Sequence, residues 1–243
     1  PSADAPEPQI EAAPAVPFPL APAQLAFYAS PQLYPELPAF TFLRQRVSGP
    51  LDTALLRRAL EILVARHEML RAQFAPLAPE QTAPEQHILP ADALLAEQWL
   101  VLRDTPAEAE ALQRELLAQP FDLHRAPLFR VMVAPSPLGG WEVLWSLHHI
   151  IADGWSIGVL ASELWQVYTH LAQGRSPLLQ PAAQFREYVS LREDAAQQQL
   201  AEQHRAWWAE QFGKHGAALG WTLPQDGDGQ SDGEVRVIHC DFD

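Results

Sequence analysis

The segment Leu147-His148-His149-Ile150-Ile151-Ala152-Asp153-Gly154-Trp155-Ser156 gathers the side chains best placed to move a proton. Neutral imidazole has an ordinary pKa of about 6.5, near working pH, which suits a general base. The apolar run Trp141 to Leu147 reads as a strand leading in, and a helical pattern follows. The histidines therefore stand at a strand tip and Asp153-Gly154 at a turn, where a rigid scaffold presents reactive groups. Successive strand residues point to opposite faces, so one histidine is reactive and the other structural; spacing does not say which. Asp153 either orients His149, fixing its tautomer, or locks the loop by pairing with a cation. Gly154 permits a turn that a Cβ would resist. No metal site is expected: His149 and Asp153 could share a helical face, but no second His or Cys pair completes a ligand set. The competing reading is a buried His-His pair without chemistry.

The elements behind this segment are legible from periodicity. Leu128 to Ala134 and Trp141 to Leu147 form a hairpin across Leu138-Gly139-Gly140. After Ser156, Ile157, Leu160, Ala161, Leu164, Tyr168 and Leu171 recur at helical spacing until Gly174 closes the helix. Upstream, Pro22 to Ser30 reads as a short helix broken by Pro31, Pro35 and Pro38, and residues 39–47 as a strand turned by Gly49-Pro50. Asp52 is an N-cap for a helix whose stripe is Leu56, Ala59, Leu60, Leu63 and Val64. That helix delivers Arg66-His67-Glu68-Met69-Leu70-Arg71. Short strands are expected near Gln86 to Leu89 and Trp99 to Leu102, and a helix starting at Thr105-Pro106-Ala107-Glu108 and running to Ala118. Gly174 to Pro177 marks a lobe boundary, followed by helices over 184–189 and 193–212, with Trp207-Trp208 as a packing pair. Residues 1–19 have the Pro/Ala-rich composition of a linker, Pro224 to Gly233 that of a loop, and residues 234–243 the look of a strand.

Bulk properties narrow the partners. The chain has 243 residues, 48% of them hydrophobic, enough for one large or two small domains. Its net charge of −14, without a Lys/Arg run, argues against nucleic acid or an anionic membrane as partner. The single cysteine, Cys240, excludes a disulfide within the chain and fits a reducing cytoplasm. No apolar run approaches the ~20 residues of a membrane span. The chain opens at Pro1 and stops inside an extended stretch, so a piece of a longer polypeptide is expected.

Four segments together carry a family resemblance. His148 to Ser156 resembles the HHxxxDG signature of condensation domains of nonribosomal peptide synthetases, in the chloramphenicol-acetyltransferase-like superfamily. Pro22-Ala23-Gln24 with Phe27-Tyr28 resembles their first motif, and Arg66 to Phe74 closely resembles the second, RHExLRTxF. Phe185-Arg186-Glu187-Tyr188 resembles the motif after the active-site helix, and Pro120-Phe121-Asp122-Leu123 with Ala126-Pro127-Leu128 the family's "PFDL…PL" segment. The resemblance implies an α/β fold. Residues 20–176 would form a first lobe of mixed sheet with packed helices, and residues 177–243 the start of an incomplete second lobe.

The resemblance also implies an activity: an amide joined from a donor acyl or peptidyl thioester and an acceptor amine, both carrier-bound. His149 would deprotonate or position the amine, and the Gly154 N–H would stabilise the oxyanion. Asp153 would be architectural, paired with Arg71 or, second, with Arg66; His148, Trp155 and Ser156 would support the site. No cofactor is expected to be held permanently. Phosphopantetheine arms would come on upstream and downstream peptidyl carrier domains, with an adenylation domain nearby. An epimerisation domain usually lacks the Gly-Trp-Ser continuation, and a heterocyclisation domain replaces the histidines with aspartates. A starter domain with a fatty acyl donor, a silent recruitment platform and a stand-alone acyltransferase remain as alternatives.

Overall fold

The computed structural model describes residues 16–33, 39–77, 80–81 and 83–215. A short strand β1 (Phe18–Pro19) precedes helix α1 (Pro22–Leu33). Strand β2 (Phe40–Val47) leads through Gly49, whose φ of 87° needs a residue without Cβ, to helix α2 (Thr53–Arg66). Strands β3 (Ala72–Phe74), β4 (Glu85–Ile88) and β5 (Leu100–Leu102) follow, then helix α3 (Ala109–Leu117). Strands β6 (Phe129–Pro135) and β7 (Trp141–His148) form the hairpin, turned by Gly139 and Gly140 at positive φ. Helices α4 (Gly154–Ala172), α5 (Phe185–Glu193) and α6 (Ala195–His215) complete the described chain.

Two sheets result. The larger has the order β2-β7-β6-β5, antiparallel except for the parallel β5–β6 pair; the smaller is β1-β4-β3. Central β7 is covered on both faces. Val143, Trp145 and Leu147 enter the main core with the stripe of α2 and with Leu160, Leu164 and Val167 of α4. Leu144 packs on the other face with Met132, Ala134 and Leu112 and Leu116 of α3.

All five predicted stripe residues of α2 are buried, and the Asp52 carboxylate accepts from the N–H groups of Ala54 and Leu55 at 3.0 Å, as an N-cap should. Gly174 closes α4 in a left-handed conformation, φ 66°: its N–H reaches the Leu171 carbonyl and the Arg175 N–H that of His170.

Several boundaries differ from the sequence reading. α1 runs through Pro31 to Leu33, with the proline in its last turn, where only the final two residues follow it. α3 begins at Ala109 rather than near Thr105, and no side chain caps it. The linker does not reach residue 19: Phe18 and Pro19 pair with Gln86 and Glu85, and Leu20 is buried. Trp207 and Trp208 stack edge to face at 4.7 Å, yet both are about half exposed, so among the described residues they pack on each other and on Phe212 rather than in a core. The predicted loop at 224–233, the strand at 234–243 and Cys240 lie outside the described residues, as does most of the linker.

Candidate active site

The two histidines separate as strand geometry requires. His148, the last residue of β7, is 6% exposed, with Phe121 edge-on at 6.2 Å. Its Nδ1 accepts the Ile150 N–H at 3.1 Å, which puts the ring proton of the neutral form on Nε2. Burial, and then the neighbouring His149, push its pKa down to about 4. One ring nitrogen is thus spent on the loop backbone, and the ring is a weak base.

His149 is half-buried on the opposite face. Its backbone N–H donates to the Ala39 carbonyl at 2.8 Å, just before β2, which fixes where the strand ends. Its ring lies parallel to Phe27 of α1, with centroids 5.2 Å apart and planes 9° off. Neither ring nitrogen has a hydrogen-bond partner among the described residues, so the contact with Phe27 leaves both in-plane positions unused.

Asp153 does not do what the sequence suggested. It neither orients His149 nor pairs with Arg71 or Arg66. It is the N-cap of α4: Oδ1 accepts the Ser156 N–H at 2.8 Å and the Ser156 hydroxyl at 2.7 Å. The hydroxyl and backbone hydrogen bonds from Ser156 hold its carboxyl below the usual carboxylate range. The expected ion pair fails because Asp153 is exposed, so burial imposes no demand for a cation.

Arg71 is committed elsewhere. It is 6% exposed, and its guanidinium donates to the carbonyls of Val64 at 3.0 Å and Ala65 at 3.3 Å, in the last turn of α2, and to Leu89. It caps orphan carbonyls at the helix end, and burial lowers its pKa despite the nearby Glu68 carboxylate. Arg66 grips Glu163 of α4 through two hydrogen bonds at 2.9 and 3.1 Å and also donates to the Gln180 carbonyl. His67 Nε2 meets the same carboxylate at 2.7 Å. Burial opposes ionisation of Glu163, but Arg66 and His67 outweigh it and hold the carboxyl below its usual range. The second motif therefore ties α2 to α4 rather than to the loop that carries His149 and Asp153.

Gly154 is the first residue of α4. Its φ is not left-handed and nothing among the described residues crowds a Cβ built there, so the turn does not demand glycine. Its N–H makes no hydrogen bond among the described residues, as expected in a first helical turn. Trp155 is 85% exposed and lines an open groove along α4 with Val159, Ser162 and Gln166; His149 is not in its walls. Ser156 serves the cap.

Sequence reasoning missed the supports of this loop. Gln24 and Gln86, 4% and 0% exposed, form a reciprocal amide pair at 3.0 and 2.9 Å. The second Nε2 hydrogen of Gln24 goes to the Ile150 carbonyl at 3.1 Å, next to His149. Glu68, 2% exposed, receives the Arg186 backbone N–H at 2.8 Å and its Nε at 3.4 Å, joining the second motif to the Phe185–Tyr188 motif. The one available signal was a polar residue inside an apolar pattern, at Gln24 and Glu68; the partners, 62 and 118 residues away, carry none.

The profile of the family described as "Condensation domain" matches residues 17–239. The chain belongs to the condensation domain family. It is 34% identical over 191 residues to a linear gramicidin synthase of Brevibacillus parabrevis, spanning 74% of this chain and 2% of that protein. It is 34% identical over 171 residues to chondramide synthase cmdD of Chondromyces crocatus, spanning 68% and 4%. Among solved structures, the first condensation domain of the calcium-dependent antibiotic synthetase, in complex with a substrate analogue, superposes with a TM-score of 0.68 at 26% identity, over 83% of this chain and 49% of that one. The starter condensation domain of rhizomide synthetase shares the fold with a TM-score of 0.67 at 25% identity, over 81% and 50%. The chloramphenicol-acetyltransferase-like fold expected from sequence is thus the fold found. The chain spans about half the length of these solved domains and a few per cent of the synthetases it matches. No helix among the described residues is long and apolar enough to cross a membrane.

Proposed function

We propose that this condensation domain joins two carrier-bound substrates through an amide bond, with His149 as the group that handles the proton of the attacking amine. The observation that carries this is the state of the His149 ring: half-buried, held by its face against Phe27, and unbonded at both nitrogens among the described residues. An α-ammonium must lose a proton before it can attack, and a neutral imidazole accepts or steers that proton. Attack forms the C–N bond at the thioester carbonyl. Collapse of the tetrahedral intermediate breaks the C–S bond, releases the donor thiol and leaves the product on the acceptor carrier. The Gly154 N–H at the start of α4, unpaired among the described residues, is the proposed donor to the oxyanion, assisted by the positive end of the helix dipole.

Phosphopantetheine, in this reading, is the tether of each substrate and arrives with an upstream donor carrier and a downstream acceptor carrier, beside an adenylation domain. The single cysteine and the net negative charge are in keeping with a cytoplasmic assembly that engages neither nucleic acid nor membrane. Residues 18–176, counting β1, form the lobe that supplies the chemistry, and residues 177–243 begin the second.

The test uses the full-length synthetase with both carriers loaded and reads the condensed product by intact mass. His149→Ala is expected to abolish the product while leaving the melting temperature near wild type. Near-normal turnover would refute the assignment.

A further inference from the structure

The described residues offer His149 no carboxylate, yet an unrestrained imidazole would sample several rotamers. What restrains it comes from α1. Gln24 and Phe27 lie one turn apart on the same helix. The Gln24 amide uses both hydrogens, on Gln86 Oε1 at 3.0 Å and on the Ile150 carbonyl at 3.1 Å. Its oxygen accepts from the Ala21 N–H and from Gln86 Nε2, both at 2.9 Å. Gln86 spends its other hydrogen on the Pro19 carbonyl at 3.0 Å. Every donor of the amide pair is satisfied, so flipping either amide would set N–H against N–H and carbonyl against carbonyl. The network is buried and ties α1 directly to the backbone of the residue after His149.

With α1 and the loop locked in register, the Phe27 ring sits parallel to the imidazole at 5.2 Å. We infer that Phe27 is the positioning residue for His149, orienting the ring through its π face and so leaving both nitrogens to the substrates. A carboxylate partner, the usual orienting device, would consume one nitrogen. An aromatic face restricts the ring plane and takes neither. This inference rests on the reading of His149 given above.

The experiment measures single-turnover condensation in the full-length synthetase with loaded carriers, over a range of acceptor concentration, for Phe27→Leu, Phe27→Tyr and His149→Ala. Phe27→Leu keeps apolar volume and removes the ring face; Phe27→Tyr keeps the face. The expected result is a drop of about 10- to 100-fold in the saturating rate for Phe27→Leu, with acceptor half-saturation unchanged. Phe27→Tyr is expected to restore the rate to within about threefold of wild type, and the melting temperatures of all three variants to stay together. A wild-type saturating rate in Phe27→Leu, a defect that persists in Phe27→Tyr, or losses that track melting temperature would each overturn the positioning role. If His149→Ala itself turns over normally, the functional reading fails instead; if it is dead while Phe27→Leu is normal, only this inference does.

Discussion

His148 should make the stability of this protein depend on pH in a way that one substitution removes. The ring is buried, accepts a hydrogen bond at Nδ1, and has a pKa of about 4 against 6.5 when unfolded. A histidine whose folded pKa is depressed is neutral in the native state and binds its proton preferentially when unfolded. Its contribution is therefore fully present above pH 6.5 and is lost as pH falls toward 4. Protonation of the unfolded chain between about pH 7.5 and pH 5 then costs the native state about 2 kcal/mol, roughly a 30-fold change in the folded-to-unfolded ratio. His148→Asn isolates this contribution: its carbonyl can still accept the Ile150 N–H, and it does not titrate. The replacement lowers stability at every pH through lost packing with Phe121, but the loss should shrink on acidification. The assay is denaturant unfolding of both proteins at the two pH values, with the free-energy difference between the proteins compared across pH. Other acid-sensitive groups cancel in that comparison. If the two proteins lose stability in parallel, His148 is not buried as a neutral base, and its assignment as the structural member of the pair is wrong.

Further outcomes follow from the second motif and from the cap of α4. Arg71→Ala strands the carbonyls of Val64, Ala65 and Leu89, and is expected to cost about 2–4 kcal/mol by denaturant unfolding. Asp153→Ala should cost about 1 kcal/mol as a lost N-cap and Asp153→Asn almost nothing, since both side chains cap well. A double-mutant cycle between Arg71 and Asp153 should show coupling below about 0.5 kcal/mol; a larger value would restore the ion pair that the geometry denies. Glu68→Ala leaves the Arg186 guanidinium over Phe18 without its carboxylate, and should speed amide exchange along α5 while leaving β6 and β7 protected. Unchanged exchange in α5 would show that the Glu68–Arg186 pair does not hold that helix.

What the sequence disclosed was whatever repeats at short range. The stripe of α2, the β6–β7 hairpin, the Asp52 cap and the closing Gly174 each rest on periodicity or on chemistry within a few residues. The candidate site was legible to the same extent: strand alternation requires that His148 and His149 part, but not which way each turns. The long-range partners were not legible. Gln24 meets Gln86, Glu68 meets Arg186, and Arg66 meets Glu163 across 62 to 118 residues, and charge or amide complementarity has no period to betray it. The Arg71–Asp153 pairing failed for a related reason. It assumed that a loop aspartate is buried, whereas Asp153 is exposed and finds its donors three residues along its own helix.

The opposite placement of the two histidines rests finally on register. β7 is paired with β2 from Val47 opposite Trp141 to Phe40 opposite His148, and its histidine end is further pinned by the His149 N–H on Ala39 and the His148 N–H on Leu128. Because side chains alternate with period 2, a slip of one residue would send His149 under Phe121 and turn His148 toward Phe27. Such a slip would also carry Leu147, Trp145 and Val143 out of the main core and put Ser146 and Glu142 into it, where the Glu142 carboxylate would lose its Arg44 partner. The register of the strand is therefore what sets which imidazole lies against Phe27 and which against Phe121. The core of the lobe thus sets which imidazole meets α1, and Phe27 lies against the ring that the sheet has already presented.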